Sequence, residues 1–156
     1  MSEPLEFLPV GLSIAGKTVV IIGGGKVAIQ KLATLSRFSA SVRVHASVID
    51  DAIKAMPVEW HEASYRPDML EGAFIVYACT SSREVNERVA RDARAAGALV
   101  NVADSPRDCD FVSPALWFKE GMCVAVVSDG KNAKRSVSWR NAIKSWGEHD
   151  TAALEG

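Results

Sequence analysis

Thr18-Val-Val-Ile-Ile22-Gly23-Gly24-Gly25-Lys26-Val27-Ala28 is an apolar, β-branched run that stops at three glycines and then turns helical. β-Branched side chains suit a pleated strand, and an unbroken apolar run suits one covered on both faces. Gly23 permits a tight turn, Gly25 lets backbone approach a pyrophosphate, and the small Ala28 lets the helix pack close to the strand, giving G-x-G-x-x-A. The N–H groups and positive end of that helix then face the anion. The stretch reads as the first strand, phosphate-binding turn and opening helix of a dinucleotide-binding fold. The alternative is a glycine-rich turn in an α/β domain that binds nothing.

Outward from this turn, strands alternate with helices. Lys26 to Phe38 carries apolar residues at Ala28, Leu32 and Leu35, the stripe of a helix packed on a sheet. Ser41–His45 is the next strand, a short helix spans about Asp50 to Met56, and a helical turn follows Pro67. Ala73–Cys79 is a buried strand. Thr80-Ser-Ser82 offers hydroxyl caps to a helix from Arg83 to about Ala96, which Gly97 stops, and Leu99–Ala103 is the next strand. This order predicts an α/β, Rossmann-like, mainly parallel sheet with helices on both faces and ligands at the carboxyl ends of the strands.

After Asp104 the pattern changes. Phe111–Phe118 and Met122–Ser128 are strand-like runs separated by a connection of hairpin length, with Pro114 making the first an edge or irregular strand able to pair with another chain. Ala133 to about Trp146 reads as a basic helix anchored by Val137, Ile143 and Trp146. Residues 147–156 read as a frayed tail.

The 156 residues, 48% hydrophobic and 24% charged, suit one soluble domain with a small appendage. A net charge of -1 gives no reason to expect nucleic acid, and the apolar runs fall short of the roughly 20 residues that span a bilayer. Met1-Ser-Glu-Pro4 lacks a basic region before an apolar one, so the expected location is the cytoplasm. Cys79, Cys109 and Cys123 are too widely spaced for a disulfide framework and read as core or near-core thiols; His45, His61 and His149 are scattered, so no metal site is expected.

The ordered set Leu8-Pro-Val10, Gly23-Gly-Gly-Lys-Val-Ala28, Ala78-Cys-Thr80, Asn101-Val-Ala-Asp104, Cys109-Asp-Phe-Val-Ser-Pro-Ala115 and Val127-Ser-Asp-Gly-Lys131 resembles the precorrin-2 dehydrogenase family, the amino-terminal module of siroheme synthases. The resemblance implies oxidation of precorrin-2 to sirohydrochlorin with NAD as hydride acceptor, in a homodimer paired through the strands of the extension. It divides the chain into a dinucleotide-binding domain (1–104), a strand-rich dimerisation and substrate extension with a short helix (105–146), and the tail. It also implies Asp104 as general base, Gly23, Gly24, Gly25, Lys26, Val27, Ser47, Val48 and Thr80 as cofactor contacts, and Asn101, Ser128 and Lys131 as substrate contacts.

Residue chemistry weighs these roles independently. A carboxylate at a strand's carboxyl end can accept the proton that dehydrogenation releases, yet Asp104 could equally cap the turn before Ser105-Pro106. An acidic residue is usual about 20 residues past the glycines to hold a ribose, but here the strand runs into His45-Ala-Ser47-Val48, and Asp50 and Asp51 can simply begin a helix. Lys131, Lys134, Arg135 and Arg140 form a cationic group suited to a polycarboxylate substrate, or else a solvated basic helix start. Ser128 could serve the same substrate or cap that helix. Gly130-Lys-Asn-Ala-Lys-Arg-Ser136 departs from the family's usual continuation, which leaves open the metal insertion that some members also perform. A nucleotide-sensing regulatory module and a non-catalytic tetrapyrrole-binding paralogue are the alternatives.

Overall fold

The computed structural model describes residues 5–149, which form two units, one of residues 11–111 and one of residues 5–10 with 112–149. In the larger unit, β1 (Thr18–Ile22), α1 (Lys26–Leu35), β2 (Ser41–Ala46), α2 (Asp51–Lys54), β3 (Glu59–Glu62), β4 (Ala73–Ala78), α3 (Arg83–Ala95) and β5 (Leu99–Val102) follow in order. Single 3-10 turns at Pro67–Leu70 and Pro106–Asp108 interrupt the connections. The five strands form one sheet in the order β3-β2-β1-β4-β5, with every pairing parallel.

β1 sits at the centre because its side chains can be buried on both faces. Val19 and Ile21 point into one apolar cluster with Ala28, Leu32 and Leu35 of α1, while Val20 and Ile22 point into another with Val89, Ala90 and Ala93 of α3. Alternation along the strand thus feeds two cores. β3, Glu-Trp-His-Glu, is an exposed edge whose polar composition gave no strand signal, and its pairing with β2 creates it. The Ser82 hydroxyl caps α3 through the Val85 N–H, as expected of that segment.

In the smaller unit, β6 (Ala115–Lys119) and β7 (Met122–Val126) form an antiparallel hairpin. Its two-residue turn, Glu120-Gly121, has positive φ at both positions, the geometry that matches strand twist. β6 begins after Pro114, which cannot donate to a ladder. α4 (Ala133–His149) runs past Trp146, with Asn132 Oδ1 accepting the Arg135 N–H at its start. Two expectations are corrected here. Val137 and Trp146 are largely exposed, because the residues of α4 that are buried are Ser136 and Gly147. Cys123 is exposed as well, since a two-stranded hairpin leaves part of each strand open to solvent. The predicted tail lies outside the described residues from residue 150 onward.

Candidate functional site

The carboxyl ends of β1, β2 and β4 border a crevice of about 780 Å³. Gly23 to Val27, Ser47, Val48 and Thr80 all line it, so the eight residues given a cofactor role above come together in one place. Each glycine contributes differently. Gly23 has φ of +138°, and a Cβ there would lie 2.5 Å from the Cys79 carbonyl oxygen. A Cβ on Gly24 would run into the Val48 carbonyl oxygen and lie 2.9 Å from Ile49 Cα, so this glycine lets the turn pack against the segment after β2. The Asp50 N–H donates to the Gly24 carbonyl at 2.9 Å and closes that contact. Gly25 is different: nothing lies within 4 Å of where its Cβ would be. Protein packing does not require a glycine there, and the open space suits a ligand.

α1 starts at this open glycine. No side chain caps it, its first turn holds no acid, and its hydrogen-bond ladder begins with the Ile29 N–H donating to the Gly25 carbonyl. The earlier N–H groups and the positive helix end therefore suit an anion. A nucleotide pyrophosphate fits this cradle. The carboxylates near the end of β2 are engaged elsewhere: Asp50 accepts the Ala52 N–H, and Glu62 accepts the Ile49 N–H and pairs with Lys54 at 3.0 Å. Ser47 thus stands where a ribose-binding acid is commonly found.

Sequence reasoning missed the far wall, formed in part by Ser64, Tyr65, Val85 and Arg88. The Tyr65 hydroxyl donates to Asp92 at 2.8 Å, and burial followed by this bond raises its pKa. Arg88 lies over the Tyr65 ring, 5.5 Å from its centroid. No spacing rule flags these residues, because Tyr65 comes from a connecting loop and Arg88 from the polar side of a helix. His45 lies deeper, buried in the crevice wall and stacked on His61 at 5.1 Å. Burial, then His61 and Arg43, lowers its pKa and keeps it neutral near pH 7. Cys79 is a buried thiol pushed up to about 12 by desolvation, which makes it unreactive.

Asp104 is exposed on the turn that follows β5, the strand beside β4. Among the described residues no backbone N–H donates to its carboxylate, so it does not act as a turn cap. Instead, the Asn86 amide nitrogen donates to Asp104 Oδ1 at 3.1 Å. Asn86 is fully buried on α3 and was also missed. Its signal was present, since Asn86 shares the helical stripe of Val89, Ala90 and Ala93, where an amide is out of place unless something inside needs it.

The remaining predicted residues are placed as follows. Asn101 is buried on β5, and its amide nitrogen donates to the Phe111 carbonyl at 2.9 Å, which ties down the segment after the strand. Asp110 adds to that tie by accepting the Val100 N–H and pairing with Arg94 at 2.9 Å. Ser128 and Lys131 belong to the smaller unit. Ser128 Oγ accepts the Asn132 N–H at 3.1 Å, and the Lys131 ammonium lies 3.3 Å from Asp129. Asp129 in turn accepts the backbone N–H groups of Glu6 and Phe7. Of the expected cationic group, Arg140 donates to the Leu116 carbonyl at 2.8 Å, while Lys134 and Arg135 are exposed. Among the described residues no three His, Cys, Asp or Glu side chains cluster as a metal site, and no helix is long and apolar enough to cross a membrane.

Residues 10–115 match a family model described as "Putative NAD(P)-binding". The chain is 35% identical over 134 residues to a siroheme synthase of Nitrosococcus oceani and 33% identical over 131 residues to one of Photorhabdus laumondii. Each match covers 81% of this chain and 28% of the relative. A "Siroheme synthase 1" of Cronobacter sakazakii is 35% identical over 145 residues, covering 90% of this chain and 31% of the relative. The chain thus spans about three-tenths of these relatives' length. Among solved structures, the fold matches "SirC, precorrin-2 dehydrogenase" with a TM-score of 0.75 at 20% identity, covering 89% of this chain and 70% of that one.

Proposed function

This chain belongs to that NAD(P)-binding family, and from this premise we propose that it oxidises precorrin-2 to sirohydrochlorin with NAD as the hydride acceptor. The observation that carries the reading is the exposed Asp104 carboxylate on the turn after β5, the strand next to the one whose end lines the crevice. An anion cradle and a carboxylate at adjacent strand ends are what a dehydrogenation needs. The names of the relatives supply the substrate class.

Gly23 to Val27 would hold the pyrophosphate against α1, with Ser47 and Val48 along the adenosine and Thr80 at the end of β4. When bound, the nicotinamide supplies a two-electron hydride acceptor. Each oxidation removes two hydrogens from the macrocycle, one as hydride and one as a proton, and Asp104 takes the proton. Ser128 and Lys131 would meet the acetate and propionate groups of the substrate, and the absence of acid in the first turn of α4 supports that polarity. Asn101 contributes by fixing the segment that follows Asp104. The exposed edges of the β6–β7 hairpin support pairing of two copies, and the pathway chemistry suits the cytoplasm.

Anaerobic incubation with precorrin-2 and NAD tests the reading, following NADH and sirohydrochlorin by absorbance. The expected outcome is NAD-dependent product, lost by a factor of about 10² or more in Asp104→Asn with NAD affinity retained. No product at enzyme concentrations near the substrate's overturns the dehydrogenase, and normal turnover by a folded Asp104→Asn removes the base.

A further inference from the structure

Asn86 is the one polar side chain among the largest fully buried residues, and both ends of its amide are engaged. Its Oδ1 accepts the Thr80 N–H at 3.0 Å and lies 2.8 Å from the Thr80 hydroxyl. Its Nδ2 donates to the Thr80 carbonyl at 3.1 Å and to Asp104 Oδ1 at 3.1 Å. A backbone N–H can only donate, so the oxygen of this amide must face Thr80, and its nitrogen must then face Asp104. One buried group thereby joins the crevice-lining end of β4 to the carboxylate that follows β5.

We propose that Asn86 is the positioning residue of Asp104, an inference that rests on the assignment of Asp104 as the base. A carboxylate on an exposed turn samples several rotamers, and pinning Oδ1 to a fully buried donor selects one of them. Oδ2 is then presented to the proton that must be removed. Because the same amide holds the Thr80 loop, the carboxylate is kept in register with the crevice. Arg83, at the start of α3, feels the charges of Asp104 and of Asp108 in the 3-10 turn. Arg83 is itself paired with Glu87 at 2.8 Å. Neither Arg83 nor Asp108 supplies a buried, oriented donor.

Asn86→Asp keeps the acceptor that faces the Thr80 N–H but replaces the amide nitrogen that donates to both Asp104 and the Thr80 carbonyl with a second carboxylate oxygen, so the Asp104→Ala background is what separates the two losses. Expected is a kcat at pH 7 lowered about tenfold or more, because the geometry of one catalytic group is lost, with any change in NAD affinity that comes through the Thr80 loop appearing equally in the Asp104→Ala background. The acid limb of the kcat profile is expected to move up by about one pH unit or more, because two facing carboxylates cannot both ionise freely. In an Asp104→Ala background Asn86→Asp should cost nothing further, which a double-mutant cycle reads directly. Melting curves and NAD titration calorimetry accompany every variant, and should Asn86→Asp fail to fold, Asn86→Ala carries the same cycle. A wild-type rate and pH profile in Asn86→Asp, with Asp104→Ala slowed about 10²-fold or more, overturns the positioning role and leaves the base intact. Equal losses in both backgrounds show a structural role and overturn it too. Full activity in Asp104→Ala removes the base, and the inference with it.

Discussion

Alanine substitutions at Gly24 and Gly25 should separate folding from binding within one turn. A Cβ on Gly24 would run into the Val48 carbonyl and lie 2.9 Å from both the Ala46 Cβ and Ile49 Cα, contacts that backbone must move to relieve. Overpacking of this kind costs about 1–3 kcal/mol. At about 2–4 °C per kcal/mol for a chain of this size, Gly24→Ala should melt roughly 2–12 °C lower. Gly25→Ala meets nothing within 4 Å and starts from an extended φ of -107° that alanine adopts easily. Its folding cost is the difference between glycine and alanine at an N-cap, about 0.5–1 kcal/mol, or roughly 1–4 °C. Its effect on binding should be the larger one, because the new methyl occupies the space where the pyrophosphate approaches. A loss of one good anion contact, about 1.5–3 kcal/mol, corresponds to NAD binding weakened by roughly 10- to 150-fold. Differential scanning fluorimetry without ligand and isothermal titration with NAD measure the two effects separately. A Gly25→Ala protein that binds NAD as tightly as the parent refutes the assignment of this turn, whatever its melting temperature.

Two further outcomes follow from burial. His45 has its pKa lowered by burial, then by His61 and Arg43, against Glu59 and Asp68, which raise it, so protonation favours the unfolded chain. Stability should therefore fall as pH drops below the ordinary histidine value of about 6.5 and level off below the folded value. Its ring nitrogens have no partner among the described residues, so His45→Phe should flatten this slope; identical melting curves between pH 7.5 and 5.5 in the two proteins refute it. Asn101→Ala strands the half-buried Phe111 carbonyl and opens a small cavity, for an expected loss of about 1–3 kcal/mol in urea unfolding with an unchanged m-value. An undiminished midpoint counts against its tying role.

Where a residue's partners lie within a few positions, the sequence disclosed its part in the fold. β1, the glycine turn and α1 are contiguous, and their burial pattern is a direct consequence of β-branched residues running into glycines. The Ser82 cap and the turn after Pro67 are local in the same sense. β3 was illegible because Glu59 to Glu62 is a strand only through its pairing with β2. Asn86 and Arg88 escaped notice for a related reason: their partners, Asp104 and Tyr65, lie 18 and 23 positions away. The helical anchors failed on a different ground, since periodicity reports an apolar face without saying what covers it. Val137, Trp139 and Trp146 remain exposed on α4.

The absent ribose acid has a physical account in the loop after β2. Two carboxylates near that strand end are occupied in building the loop itself. Asp50 caps α2, and Glu62 holds both Lys54 and the Ile49 N–H, while Asp51 points to solvent. Releasing Asp50 or Glu62 for a ribose would loosen the segment whose Val48 carbonyl packs against Gly24. The turn and the loop therefore depend on each other, and the proposed cofactor contacts are concentrated at the glycines and the start of α1. That concentration is why Gly25, where packing imposes no constraint, is the position at which a ligand best explains the residue.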